Sequence, residues 1–159
     1  MPQEIRQLLS IIDAAYDRRS WHGTNLRGSI RGVSARRAAW RPAPDRHNIW
    51  ELVVHAAYWK HIGLRRLSGA RRGSFPLQGS NWFDRGDDVS EKAWRADIAL
   101  LEQAHRALRA AVVELSPRDL NRTPAGSKVS NCALLSGVAA HDLYHAGQIQ
   151  LLKRLGPAI

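Results

Sequence analysis

The stretch SEKAWRADIALLEQAHRALRAAVVEL, residues 90–115, decides the fold class of this chain. Its large side chains recur at alternating spacings of four and three residues, which places them on one face of an α-helix. No part of the sequence shows a sustained alternation of apolar and polar residues, so no strand is predicted. We therefore expect an all-α protein. The residues of this helical face are Trp94, Ile98, Leu101, His105, Leu108, Val112 and Leu115.

Three other stretches of the sequence show the same periodicity. They predict helices over residues 2–19, 45–68 and Asn131–Leu155, with Asp45 as the N-cap of the second, and a short helix is expected at 34–39. The connections are long and contain glycine and proline, so crossovers are possible and a simple up-down-up-down order is not required. The expected architecture is a four-helix bundle with long connections.

The composition limits the class of protein. The chain has 159 residues, of which 44% are hydrophobic and 24% charged, as expected for one globular domain over residues 1–159. No stretch approaches the roughly 18 apolar residues of a membrane span, and charged residues interrupt the region where a signal peptide would have its apolar core. A single cysteine, Cys132, excludes an internal disulfide. We expect it to be a small buried residue of a protein in the reducing cytoplasm.

The chain carries a net charge of +10, and 20 of its 24 basic residues are arginine. Such an excess is compatible with a surface for nucleic acid or another acidic ligand, and equally with a solvated surface. The basic residues are spread along the chain, and no helix-turn-helix, zinc-finger or RNA-binding motif accompanies them. We therefore expect no specific nucleic-acid partner and no association with membranes.

Histidines interrupt two of the predicted core faces. The face of the last helix runs from Leu134 to Leu155 and includes His141 and His145, which leave the same side of the helix because they are four residues apart. His55 lies on the core face of the second long helix. Buried imidazoles without partners are costly, and three of them suit Zn²⁺, Ni²⁺, Fe²⁺ or Mn²⁺ with open positions for water or substrate. The alternative is that each makes a hydrogen bond in a partly wet interior.

Three further residues near this set have roles that the sequence leaves open. His105 could be a fourth ligand, a partner of a ligand, or an ordinary core histidine. Glu51, one turn before His55, could orient a ligand, take a proton in catalysis, or pair with an arginine. Asp142 points about 100° away from His141 on the helix, so a surface or capping role is expected.

Two groups of side chains could line the approach to such a centre. Aromatic residues could form the wall of a pocket, although core packing is the alternative for Trp59, Trp82 and Tyr144. Basic residues could meet a carboxylate of the substrate near the mouth, and the candidates are Arg65, Arg66 and Arg71.

Segments from most of the chain resemble one known family. They are HDLYHAGQIQLLKRL at residues 141–155, IWELVVHAAYWK at 49–60 and WHGTNLRGSIRGVSARRAAWRP at 21–42. Together they resemble the DinB-like (DinB/YfiT) family of metalloenzymes. The resemblance implies a four-helix bundle with a three-histidine metal site, in which one ligand comes from the second long helix and two from the last. Carried over to this sequence, the ligands are those already reached from periodicity: His55, His141 and His145.

The resemblance also implies a class of activity. Family members often form homodimers, and they include thiol-dependent S-transferases and isomerases that use low-molecular-weight thiols such as bacillithiol or mycothiol. We therefore expect a metal-dependent enzyme that transfers a thiol to an electrophilic small molecule, with a low-molecular-weight thiol as cosubstrate and a homodimeric state. The alternatives are a metal-dependent hydrolase and a non-catalytic metal-binding protein of a stress response.

Overall fold

The computed structural model describes residues 1–70, 74–85 and 88–157, and these residues form helices and no strand. The predicted all-α class is confirmed, with the four long helices and the short helix near residues 34–39. Two other short helices, α2 and α6 below, were not predicted. None of these helices is long and apolar enough to cross a membrane. In chain order they are α1 (Gln3–Tyr16), α2 (Leu26–Ser29), α3 (Ala35–Ala39), α4 (Ile49–Ser68), α5 (Glu91–Val113), α6 (Pro117–Leu120) and α7 (Asn131–Leu155).

Local hydrogen bonds determine where α4 begins and ends. The side chain of Asn48 accepts a bond from the main-chain N–H of Glu51 at 2.8 Å, and the Glu51 carboxylate accepts one from the N–H of Asn48 at 3.4 Å. This capping box starts the helix three residues later than expected, so the prediction of Asp45 as the N-cap is wrong. Gly69, at a φ of 66°, ends the helix in the left-handed conformation that glycine adopts without strain.

The first and third long helices are antiparallel. Asp13 of α1 accepts two hydrogen bonds from Arg109 of α5, at 2.7 and 2.8 Å. One turn later in α1, Tyr16 stacks on His105, which lies one turn earlier in α5. Residues later in α1 therefore contact residues earlier in α5, as in an antiparallel pair of helices.

Helices α4 and α5, by contrast, run parallel. Trp50, near the start of α4, donates its Nε1–H to Asp97, near the start of α5, at 2.6 Å. Further along both helices, Gly63 lies against Leu108. The chain that connects them must therefore return along α4, which is about 30 Å long. The expectation that the bundle need not alternate simply in direction is met by this crossover.

Helices α4 and α7 are antiparallel and carry the three predicted histidine ligands. Lys60 pairs with Asp142, and Gly63 lies against Val138 four residues earlier in α7. A Cβ atom on Gly63 would lie 3.4 Å from a methyl carbon of Val138. The missing side chain thus lets the two helices approach closely just beyond the histidines.

The predicted core faces are largely buried, but that of α7 drifts at its ends. Leu135 is fully buried where Leu134 was expected, and Leu155 is 59% exposed. The predicted face keeps a repeat of seven residues, whereas an α-helix drifts by about 20° per heptad relative to that repeat. Over the length of α7 this drift carries the end positions away from the core.

Two side chains of α7 differ in their burial from what the sequence predicted. Asp142, expected at the surface, is 1% exposed and pairs with the fully buried Lys60. Cys132, expected to be buried, is exposed. The prediction for Asp142 was wrong because it assumed a single buried face, whereas the prediction for Cys132 rested on residue type alone. Helix α7 contacts α1, α2 and α4, so a position about 100° from His141 is also covered.

Candidate metal centre

Three imidazoles meet between α4 and α7. The Nε2 atom of His141 lies 3.0 Å from Nε2 of His55 and 2.9 Å from Nε2 of His145. The ligand atoms of all three lie within 4.8 Å of one another. The antiparallel packing of the two helices therefore brings together the residues that the sequence predicted as a set. Within the described part of the chain, no other histidine, cysteine or carboxylate joins this group.

Oxygen acceptors hold the outer nitrogens of two of these rings. The Nδ1 atom of His55 lies 2.7 Å from the main-chain oxygen of Asn81, and Nδ1 of His145 lies 2.6 Å from Oε1 of Gln148. These oxygens only accept, so each Nδ1 carries the hydrogen, and in a neutral ring Nε2 is then a bare lone pair. Metal-binding histidines in proteins are commonly oriented in this way.

The inner nitrogens form an arrangement that a cation would satisfy. Nε2 of His141 faces the lone pairs of both His55 and His145, and one hydrogen on His141 could serve only one of these contacts. In at least one of the two contacts, the lone pairs of two nitrogens would then face each other. A tetrahedral zinc ion, with Zn–N bonds of about 2.0–2.1 Å, holds two ligand nitrogens about 3.3 Å apart, close to the separations found here. The donor set therefore fits a divalent metal ion.

Burial keeps the three imidazoles in the neutral form that metal ligands require. It lowers the pKa of His55, and together with the neighbouring histidines and Lys60 it lowers the pKa of His141 to about 3. Burial also lowers the pKa of His145 to about 4, although the hydrogen bond with Gln148 acts in the opposite direction. At neutral pH, none of these rings therefore carries the second proton that would have to leave before a metal ion binds.

The indole of Trp82 lies between two imidazoles and supports His55. Its ring centroid is 3.9 Å from that of His55 and 3.5 Å from that of His47, with both pairs of planes within 9° of parallel. His47 donates its Nδ1–H to Glu51 at 2.9 Å, and Arg41 binds the same carboxylate. Burial raises the pKa of Glu51, but the bonds from Arg41 and His47 outweigh it, so the pKa is lowered. Of the three roles open to Glu51, the structure shows the pairing with an arginine.

A cavity of about 650 Å³ opens beside His145. Trp82 and Tyr144 line it, so two of the three aromatic residues considered for a pocket wall are found there. Trp59 has another role: it donates its Nε1–H to the side-chain oxygen of Asn81 at 2.9 Å. The space beside the imidazoles is large enough for a small-molecule ligand.

The arginine that lines this cavity is not one of those considered from the sequence. It is Arg46. Arg65 and Arg66 line separate clefts at the far end of α4, and Arg65 lies about 15 Å along the helix from His55. Arg71 lies outside the described residues. Helical periodicity could not point to Arg46, because it lies in a connection.

A second group of buried polar side chains lies next to the imidazoles, one from each long helix. Tyr16 of α1 stacks on His105 of α5 with centroids 3.7 Å apart. Lys60 of α4 pairs with Asp142 of α7, and its Nζ lies 4.9 Å from the centre of the Tyr16 ring. Burial, reinforced by the charge of Lys60, lowers the pKa of His105 to about 3. His105 is therefore a core histidine stacked on a tyrosine, outside the group of three.

A comparison with family models places the chain among known proteins. The model described as the DinB superfamily matches residues 18–149. The chain belongs to the DinB superfamily. The resemblance inferred from three sequence segments is thus confirmed. The chain matched no curated protein and no solved structure.

In this member of the DinB superfamily, sequence reasoning identified the imidazoles but missed most of the residues that hold them. Asn81 and His47 lie in connections, where no periodicity indicates which side chain faces the core. Lys60 gave a usable signal, because a charge five residues after His55 in a long apolar helix has to be paired if it is buried. Gln148 was expected on the core face, and its bond to His145 follows from the three-residue spacing.

Proposed function

We propose that this chain is a divalent-metal-dependent enzyme of a single domain, with His55, His141 and His145 as the metal ligands. The observation that carries the proposal is the convergence of three Nε2 atoms while the outer nitrogens of His55 and His145 are held by acceptors. Three imidazole ligands suit Zn²⁺, Ni²⁺, Fe²⁺ or Mn²⁺.

A catalytic centre is favoured over a structural one. Structural zinc sites are closed by four protein ligands, whereas catalytic sites keep a position open. In the described part of the chain the group contains three ligands, and His105, the residue considered as a fourth, stacks on Tyr16 instead. The cavity supports the same interpretation, because it offers space for a substrate beside His145, one of the three candidate ligands.

The reaction that we propose is transfer of a low-molecular-weight thiol to an electrophilic small molecule, as the family resemblance implies. A divalent ion held by neutral imidazoles supplies Lewis acidity, which lowers the pKa of a thiol or a water molecule. In thiol transfer the thiol gives its proton to the solvent, and its sulfur forms a bond to an electrophilic carbon. The leaving group then departs with the electron pair of the bond that breaks.

The protein's own residues position the reactants in this proposal. Asn81 and Gln148 fix the orientation of two imidazoles through their Nδ1 atoms. Trp82 covers His55 and also lines the cavity, so it separates the ligand from the solvent at the point where the substrate enters. Glu51 acts through His47 and Trp82 as a positioning residue.

The first test is the metal content of the purified protein. We expect stoichiometric metal in the wild type and at least tenfold less in His141→Ala, since one of three ligands is removed. His22→Ala is the matched control, because His22 is exposed and outside the group. Equal metal content in the wild type and His141→Ala would remove the basis of the proposal.

The second test separates thiol transfer from hydrolysis. Cys132 is exposed and would itself react with an electrophile, so turnover is measured in a Cys132→Ser background. Metal-dependent transfer of mycothiol or N-acetylcysteine to monobromobimane supports the proposal. Metal-dependent cleavage of an ester or amide without any thiol cosubstrate identifies a hydrolase instead and contradicts it.

A further inference from the structure

The cavity beside His145 continues along the last turns of α7. Leu151, Leu152 and Leu155 line it and follow His145 on one side of the helix. From His145 to Leu155 the helix rises by about 15 Å. A ligand whose reactive end lies at His145 can therefore extend along a row of leucines. We call this part of the cavity the leucine groove.

The other walls of the leucine groove are also mostly apolar. Leu52, one turn before His55 in α4, contributes a side chain, and Pro42 and Ala43 contribute the connection between α3 and α4. The polar side chains of the lining include Arg46 and His47 from the same connection, and His145 and Gln148, which belong to the proposed metal centre and its support. The wall formed by α7 thus changes from polar at His145 and Gln148 to apolar at the three leucines.

Three large side chains of this part of α7 are strongly exposed. Tyr144 is 63% exposed, Leu151 57% and Leu155 59%. Single exposed apolar residues are common, but a row that lines a cavity of ligand size marks a binding surface. The volume of about 650 Å³ lies within the range of roughly 300–1,000 Å³ that holds small molecules. Because the groove begins at His145, one of the three candidate ligands, its fitting occupant is a substrate.

We propose that the leucine groove selects an electrophilic substrate with a linear alkyl or arylalkyl chain. The reactive carbon lies at the His145 end, and the chain lies along Leu151 and Leu155. This inference rests on the proposed function and adds the class of substrate to it. A small hydrophilic electrophile would leave the leucines in water and would gain nothing from them.

The test uses linear alkyl carboxylates from butanoate to decanoate, below their micelle concentrations, as probes of the groove. Binding is measured by calorimetry on the Cys132→Ser protein with metal and after removal of the metal. We expect the affinity to rise roughly fourfold for each added methylene in both forms, because contacts with leucines do not require the metal. This rise would be observed even if the proposed catalytic reaction were absent, so the two proposals can fail separately.

Two substitutions localise the effect. Leu151→Gln and Leu155→Gln change exposed side chains, so the fold is retained, and we expect each to weaken decanoate binding by about tenfold and to flatten the dependence on chain length. Ile11→Gln is the matched control, since Ile11 is a similarly exposed apolar residue on α1, 54% accessible to solvent. It should leave both quantities unchanged.

Two outcomes would overturn the inference. One is an affinity that does not depend on chain length, or a dependence that both glutamine variants retain. The other is a dimer that dissociates in Leu151→Gln and Leu155→Gln while the wild type binds no carboxylate, which would assign the leucines to a second copy of the chain. Sedimentation velocity on the same samples detects this second case.

Discussion

His55 donates its Nδ1–H to the main-chain oxygen of Asn81 across 2.7 Å. Asn81 has a φ of 63°, and among the described residues it is the one non-glycine residue with a positive φ. Its side chain also accepts the indole hydrogen of Trp59. One residue in the left-handed region, which asparagine tolerates better than most residues, thus orients a candidate ligand and is itself anchored to α4.

Substitution of Asn81 should weaken metal binding without unfolding the bundle. In Asn81→Ala the left-handed backbone becomes unfavourable and the bond from Trp59 is lost, so we expect the metal affinity to fall by about 10- to 100-fold. Asn81→Gly keeps the backbone conformation, so its metal affinity should fall less than that of Asn81→Ala. Competition with a chromophoric chelator measures both affinities, with circular dichroism as the check of folding. Wild-type affinity in Asn81→Ala would refute a positioning role.

The buried ion pair of Lys60 and Asp142 should behave as a unit. In Lys60→Met the carboxylate of Asp142 remains buried without its partner, and we expect the free energy of unfolding to fall by about 3–5 kcal/mol. Lys60→Met combined with Asp142→Leu should recover most of this loss, because no buried charge remains. Urea unfolding of the metal-free wild type, of Lys60→Met, of Asp142→Leu and of the double variant gives the four values. Additive losses in the double variant would contradict the coupling.

The stability of the protein should decrease in acid, in part because of His105. Burial lowers the pKa of this histidine to about 3, whereas an unfolded histidine titrates near about 6.5. The contribution of His105 to the free energy of unfolding is therefore complete above about pH 6.5 and is lost as the pH falls toward about 3. In this range the unfolded state binds a proton that the folded state does not.

The variant His105→Phe isolates this contribution, because it keeps a ring against Tyr16. Between about pH 5.5 and 4, the free energy of unfolding of the metal-free wild type should fall more steeply than that of the variant, by about 1.4 kcal/mol per pH unit. Urea titrations at several pH values measure the two slopes. Identical slopes in the wild type and His105→Phe would contradict the assignment.

The role of Glu51 can be separated into catalysis and positioning. Glu51→Gln retains an N-terminal cap but loses the charge that binds Arg41. His47 and Trp82 are then held less firmly, so we expect turnover to fall by about tenfold. Arg41→Met should produce a similar fall, because it frees the same carboxylate. If Glu51 accepted a proton from the substrate, Glu51→Gln would abolish turnover while Arg41→Met would not.

Much of this fold could be predicted from the sequence, because helical periodicity records which side chains face a core. His141 and His145 were identified by their spacing, and His55 by its place on a second buried face. Asn81 could not be identified in this way, because its contact with His55 depends on the path of the crossover between two parallel helices. Asp142 was misjudged because α7 is covered on more than one side, which a one-faced helical pattern does not reveal.

The origin of the three imidazoles in α4 and α7 also has a consequence for biosynthesis. His55 and His141 are separated by 86 positions in the chain. The ribosome therefore synthesises His55 long before the two histidines of α7, and helix α5 is made in between. An incomplete nascent chain lacks the full set of candidate ligands, so under the proposed function the ion would be acquired only after the last helix has docked.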